Sequence, residues 1–365
     1  MTRVVIALDS LKGSITAAQA SAALAAGWCT VEPSASILQR PMADGGEGTV
    51  AAFAAADDAA KEMAVTVRGS HGDPVAAHWL LRPDGSGVVE LASTSGIEML
   101  GDRRLPWDAD TRGFGQTIVD ALDHGVARLV LGIGSSASTE GGVGLLTALG
   151  ARFLDARGAP VAPGARGLCN IVTADLTGLR ALPPGGAVVL TDVTNPLLGP
   201  EGAATVFGPQ KGFDVEEVER ADAALARLAA LVPGEPALPG AGAAGGAGFA
   251  LRLWGATLMP GAPEVAALVG LDAALHDADL VVTGEGSFDG QSAAGKVPSF
   301  VADLAAEAGV PVALVAGRIG ADADTAGFLA SLSLTDLAGS AQSSLADPAR
   351  WLRAAGADLA RRFTA

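Results

Sequence analysis

Lysine is scarce in this chain: four residues in 365, against twenty arginines. Cysteine is scarcer still. Cys29 and Cys169 lie in unrelated contexts with no metal-type spacing, which argues against a disulfide framework and fits a reducing cytoplasm. The four histidines, His71, His78, His124 and His276, all stand outside the glycine-rich loops. A His–Ser or His–Cys nucleophilic pair is therefore not expected, and any general base is expected to be a carboxylate. No apolar run reaches the ~18–20 residues needed to span a bilayer, and the apolar fraction is mostly alanine, as in helices. Net positive charge is lacking too: the formal charge is −16, which argues against nucleic acid or an anionic membrane surface as a partner. The opening MTRVVIALDS runs directly into a strand pattern, so no signal peptide is expected. No oligomeric state follows from the sequence.

Scarcity makes the placement of the lysines informative. Lys12, Lys211 and Lys296 are each expected beside glycine in a polar loop, DSLKGS at 9–14, GPQKG at 208–212 and GQSAAGKV at 290–297; only Lys61 has ordinary surroundings. A lysine beside glycine is a compact charge on a loop that lets a ligand approach the backbone, which is what phosphate groups need. Against an acidic background, such a cluster of cations points to a phosphate-handling enzyme.

The chain alternates buried-strand and helix patterns, the signature of a doubly wound parallel sheet. Apolar runs at 3–8, 279–283 and 311–315 read as parallel strands, each leading into a polar or glycine loop, with helices over 16–27 and 298–308. A further unit has a strand near 36–40, the loop PMADGGEGT at 41–49 and a helix to about 56. Between these halves, short strands at 63–68, 76–81 and 87–91 are joined by turn signals at Gly72-Asp73-Pro74 and Pro83-Asp84-Gly85. Helices at 113–124, 141–149, 216–231 and 246–256 and strands at 128–132 and 187–191 complete the section. The expected organisation is an α/β domain made of residues 1–60 plus 276–365, interrupted by a second α/β domain over 61–275. Residues 232–248 have the composition of a linker, though a ligand-binding loop fits them equally.

Two motif matches lack their structural context. Gly290-x-x-x-x-Gly295-Lys296 resembles a P-loop but is followed by Val297 rather than a hydroxyl residue, and it begins too far after its strand. It remains a good anion site, because it feeds a helix N-terminus. Gly240-x-Gly242-x-x-Gly245 matches a dinucleotide fingerprint but follows a proline-rich stretch instead of a strand, so NAD is not expected. Carboxylates recur beside glycine. Asp44 with Glu47, and Glu285 with Asp289, each place two carboxylates on one loop after a buried strand, as Mg²⁺ ligands or general bases would be placed. Asp192 closes the apolar run AVVLT, where a charge is costly unless used.

Taken together, ALDSLKGS (7–14), PMADGGEGT (41–49), GIGSSASTEGGVGLLTALG (132–150), TDVTNPLLGPEGAATVFGPQKG (191–212), PGAGAAGGAG (239–248) and DLVVTGEGSFDGQSAAGK (279–296) resemble the bacterial class I glycerate kinase family in the right order. The resemblance implies two α/β domains with a cleft between them, one flavodoxin-like and split in sequence. It implies ATP and Mg²⁺-dependent phosphorylation of D-glycerate to 2-phosphoglycerate, with a related hydroxy acid or the 3-phosphate as alternatives and a non-catalytic sugar-acid sensor as a remote one. For that reaction the loops offer Lys12 and Asp192 as catalytic candidates, Lys12 to hold the glycerate carboxylate or the transferring phosphoryl group and Asp192 as the base. Asp9, Ser10, Asp44, Gly45, Gly46, Glu47, Ser135, Ser136 and Asn195 would bind substrate; Lys211, Gly284, Gly295 and Lys296 the nucleotide; Glu285 and Asp289 the metal. The chain departs from the family where GGSATNDGG reads Gly134-Ser135-Ser136-Ala137-Ser138-Thr139-Glu140-Gly141-Gly142, and where a TSYGTGE-like stretch reads Thr111-Arg112-Gly113-Phe114-Gly115-Gln116-Thr117. Those changes bear on the acceptor pocket more than on the reaction.

Overall fold

The computed structural model describes residues 1–57, 59–290 and 296–364. The chain divides into two compact units: residues 1–44, 51–58 and 261–365 form one, and residues 45–50 and 59–260 form the other.

The first unit is built on a five-stranded sheet ordered Ala330–Ser333, Val312–Ala316, Leu280–Gly284, Arg3–Leu8, Ser36–Gln39, with every pairing parallel. Counted within the unit, that is the order 2-1-3-4-5 of flavodoxin-like sheets. The strands are continuous apolar runs because both faces are covered. On one face, Val4, Ile6, Leu8, Leu280 and Val282 pack with Leu24 and Trp28 of the helix Ala17–Cys29 and with Leu352, Ala355 and Leu359 of the helix Pro348–Thr364. The alternate residues Val5 and Val281 are buried as well, and the helix Val297–Ala308 packs against those two strands. Thr16 and Gln19 form a capping box that starts the first helix at Ala17.

The second unit holds a six-stranded mixed sheet: Thr257–Met259, Ala187–Leu190, Arg128–Gly132 and Ser86–Glu90 run parallel, and Pro74–Leu81 and Lys61–Arg68 complete it antiparallel. A two-stranded ribbon pairs Arg152–Leu154 with Thr173–Asp175. Its core includes Trp79, Phe114, Ile118, Leu129, Leu131 and Phe249.

Two segments differ from the sequence expectation. The stretch around GPQKG is not a loop: Ala203–Lys211 is a helix, closed by Gly212 in a left-handed cap at φ 106°. The stretch 232–248 is not simply a linker either. The helix Ala243–Trp254 begins in it, with Ala244, Gly245 and Gly246 in left-handed conformations that break the first turn. A Cβ on Gly245 would meet the Ser138 carbonyl at 2.0 Å, so this break allows close backbone packing on the loop after strand Arg128–Gly132. Among the described residues, no helix is long and apolar enough to cross a membrane.

Candidate active site

In a doubly wound sheet, ligands bind outside the carboxyl ends of the strands, where the strand order reverses. In the first unit that reversal lies between Arg3–Leu8 and Leu280–Gly284. The residues that follow these two strands, Asp9 to Lys12 and Glu285 to Ser287, line a cavity of about 410 Å³. Asp44, Lys296 and Arg318 line it too. The structure therefore brings together Asp9, Ser10, Lys12, Asp44, Glu285 and Lys296 from the expected site, within one unit.

Each is placed by local structure. Lys12 sits in the tight turn that joins Leu11 to Ile15 by a β-bridge, and its side chain is exposed. It lies on the loop ahead of the Thr16 cap, where the sequence pattern places it. Lys296 is the N-cap residue of Val297–Ala308, and its amine lies 3.6 Å from Oε2 of Glu285, a residue only 8% exposed. Asp9 follows its strand directly, and its carboxylate accepts from the Ser10 amide at 2.6 Å. Desolvation holds the Asp9 carboxyl well above the usual range, Asp44 and Glu285 push it further, and the Ser10 amide and Lys12 pull it back. Three cations and three carboxylates thus share one cavity. Cations without full pairing favour a polyanionic ligand, and hard carboxylate oxygens favour a divalent cation.

The remaining expected residues fall elsewhere. Gly284 is buried beneath the cavity: a Cβ there would meet the Val315 carbonyl at 1.7 Å, so strand packing alone requires glycine. Asp289 follows the short strand Ser287–Phe288 and is not among the cavity's lining residues. Gly295 lies outside the described residues. In the second unit, Gly45, Gly46 and Glu47 form a turn ahead of the helix Thr49–Ala56, and Glu47 is exposed. Ser135 holds a left-handed φ of 58°, unusual for a residue with a side chain. The Ser136 and Ser138 hydroxyls are 3.3 Å apart. Asn195 donates its side-chain amide to the Glu201 carbonyl at 2.8 Å, which closes its own turn. Asp192 is exposed, two residues past the strand Ala187–Leu190. Its charge therefore carries no burial cost, and its position at the carboxyl end of a parallel strand is what singles it out.

Lys211 is the clearest displacement. It is 3% exposed, and its amine donates to the Ser138 carbonyl at 2.5 Å. Burial pushes its pKa down to about 7. It ties the Ala203–Lys211 helix to the loop that carries Ser135 and Ser136.

The Thr139 and Glu140 departures are also interior. Oε1 of Glu140 accepts from the Thr111 amide at 2.9 Å, the Thr111 hydroxyl at 2.5 Å and the Gly144 amide at 2.9 Å. It thereby caps the helix Arg112–Asp123. Oε2 has no hydrogen-bond partner among the described residues. Burial, then Asp110, pushes the Glu140 pKa up to about 7. The folded state therefore holds this proton more tightly than the unfolded chain. Its stabilising contribution is complete below the ordinary glutamate range and is lost as pH rises through about 7. Glu140→Gln keeps the Oε1 acceptor and removes the charge. Its Tm relative to the native protein should rise between pH 5.5 and 8.5; a difference independent of pH would disprove the buried proton.

Several lining residues left little mark in the sequence. Arg318, at the carboxyl end of Val312–Ala316, donates to the Ser287 hydroxyl at 3.1 Å; the AGR triplet closing that strand was its signal. Thr335, Ser344, Leu345 and Pro348 come from the last thirty or so residues, where no glycine–lysine loop marks them.

With this geometry in place, comparison with known proteins is direct. A model of the glycerate kinase family matches residues 4–364. A Bacillus subtilis glycerate kinase is 37% identical over 331 residues, covering 88% of this chain and 86% of that protein. The Escherichia coli glycerate 2-kinase is 39% identical over 326 residues, 87% and 85% of the two chains. A crystal structure of a Salmonella typhimurium LT2 protein solved as a candidate glycerate kinase 2 superposes with a TM-score of 0.84 at 39% identity, covering 100% of this chain and 98% of that one. The chain belongs to the glycerate kinase family.

Proposed function

We propose that this kinase transfers the γ-phosphoryl group of ATP to the 2-hydroxyl of D-glycerate, giving 2-phosphoglycerate and ADP. The observation that carries the reading is the switch-point cavity, where Lys12, Lys296 and Arg318 stand against Asp9, Asp44 and Glu285.

Phosphoryl transfer is mostly positioning and charge neutralisation, because the transferring group carries its own reactivity. Lys12 and Arg318 neutralise the oxygens of the transferring group, and Lys296 reaches a neighbouring phosphate while holding Glu285. Asp192 accepts the proton that the acceptor hydroxyl loses as its oxygen bonds to phosphorus. The leaving oxygen departs on ADP. Lys211, anchored on Ser138, contributes by fixing the Ser135–Ser136 turn rather than by meeting the nucleotide.

Mg²⁺ fits this cavity. Asp9 and Glu285 supply oxygen donors, and the burial and neighbouring carboxylates that raise the Asp9 pKa are what a divalent cation would offset. Among the described residues, no three carboxylates are grouped closely enough to form a complete cage. That suits Mg²⁺, which is commonly held by one or two carboxylates with substrate phosphates and water. When bound, the ion supplies charge neutralisation across the phosphates.

A coupled ADP-release assay with D-glycerate, ATP and Mg²⁺ tests the reading, with phosphorus NMR of the product. ADP formation and a 2-phosphate resonance are expected. Folded protein that releases no ADP over a panel of small hydroxy acids would sink it, and a 3-phosphate resonance would correct the regiochemistry.

A further inference from the structure

We infer that Glu90 is a positioning residue for this reaction: its buried carboxylate accepts from the backbone at the start of the helix Thr49–Ala56 and so fixes the turn that carries Glu47. The inference rests on the glycerate kinase reading together with the expectation from the sequence that Gly45, Gly46 and Glu47 bind substrate.

Glu90 is the last residue of the parallel strand Ser86–Glu90, in register with Gly132, and is 6% exposed. Its Oε2 accepts from the Val50 amide at 3.2 Å, and the Gly48 and Thr49 amides also stabilise its anion. A carboxylate at the start of a helix also meets the positive end of the helix dipole. The other contacts that hold the turn are neutral. The Thr49 hydroxyl donates to the Gly46 carbonyl at 2.8 Å, and the Gly134 amide to the Gly45 carbonyl at 2.9 Å. Gly45 has φ 93°, and a Cβ there would meet the Leu190 carbonyl at 2.3 Å. Glu90 is thus the charged member of the set.

The charge is finely poised. Burial raises the Glu90 pKa to about 7, with Glu47 as the charged neighbour that adds to the rise and the three amides opposing it. No cation is among the leading influences on it. The anion therefore depends on the amides of the turn, and the turn depends on the anion. Protonation weakens the acceptance from these amides, which loosens Gly48–Val50.

The test uses the full-length enzyme and two readouts. In steady-state kinetics, Glu90→Gln should raise KM for D-glycerate about tenfold while kcat stays within about threefold, the loss of one hydrogen bond to a charged group. The native enzyme should lose kcat/KM below pH 7, and the variant should lack that fall. Glu90→Asp, which keeps the charge with a shorter reach, should raise KM and retain that pH limb. In hydrogen exchange read by mass spectrometry, amides 48–50 of the native enzyme should lose protection between pH 8 and pH 6, after correction for intrinsic rates, and those of Glu90→Gln should be unprotected throughout. Unchanged protection in Glu90→Gln overturns the inference, as does changed protection with native KM and an unaltered pH limb. A loss of activity that only tracks a loss of folded protein by circular dichroism overturns it as well. Native enzyme that shows the exchange change but no glycerate turnover overturns the glycerate reading instead, since the turn is then held as described in a protein with another substrate.

Discussion

Lys12→Ala should lower kcat/KM for D-glycerate by at least about 10²-fold and leave the melting temperature nearly unchanged. The two halves of this expectation have separate origins. Stability is indifferent because the Lys12 side chain is exposed and the turn that holds it is closed by the backbone of Leu11 and Ile15. Turnover is sensitive because Lys12 lines a cavity already crowded with three carboxylates. Neutralising an incoming polyanion there is worth far more than it would be in open solvent. The substitution has a second consequence. Lys12 is one of the influences that lower the Asp9 pKa, so its loss drives Asp9 further up. Any activity that requires the Asp9 carboxylate should then fall at a higher pH in the variant than in the native enzyme. A pH–rate profile of kcat/KM, run beside a thermal melt, reads both effects. Near-native kinetics would reduce Lys12 to a surface lysine. A collapse of the melt would make it a structural residue.

Lys12 was legible in the sequence because its signal is local: a strand followed within five residues by an acidic residue, a lysine and a glycine. The same local logic identified Asp9, Asp44, Glu285 and Lys296, all of which line the cavity. The parallel sheet was equally legible, because strands buried on both faces leave uninterrupted apolar runs. Lys211 shows where local logic ends. Its neighbours, Pro209 and Gly212, are residues of loops, yet Ala203–Lys211 is a helix that packs the lysine onto the Ser138 carbonyl. Tertiary packing decided that segment, and the Ser138 loop lies more than seventy residues away. Gly284 shows a different limit. Glycine in a motif was read as room for a ligand, whereas here it makes room for the neighbouring strand. The residues from Thr335 to Pro348 had no local signature, because they reach the cavity only through the order of the strands and the docking of the final helices. Glu90 was hidden for a third reason. It ends an apolar strand without an adjacent lysine or glycine, and its partners, the amides of residues 48–50, carry no side-chain signature at all.

Asp192→Asn should lower kcat by about 10²–10⁴-fold while KM for D-glycerate changes little. The amide has nearly the shape of the carboxylate and cannot take the hydroxyl proton. Because Asp192 is exposed at the end of its strand, a near-isosteric change there should leave the fold intact, and a thermal melt run beside the kinetics checks this. A Mg²⁺ titration separates the alternatives. If Asp192 holds the metal, raising Mg²⁺ should restore part of the rate, and the apparent affinity for ATP should weaken in the variant. If it is the base, no concentration of Mg²⁺ should restore the rate, because the missing function is proton acceptance. If it only shapes the turn after its strand, kcat should be native at ordinary Mg²⁺ and the melting temperature alone should move. Undiminished kcat removes Asp192 from the chemistry and leaves the acceptor proton to be taken by another carboxylate, with Glu47, exposed on the turn that Glu90 supports, next to be tested.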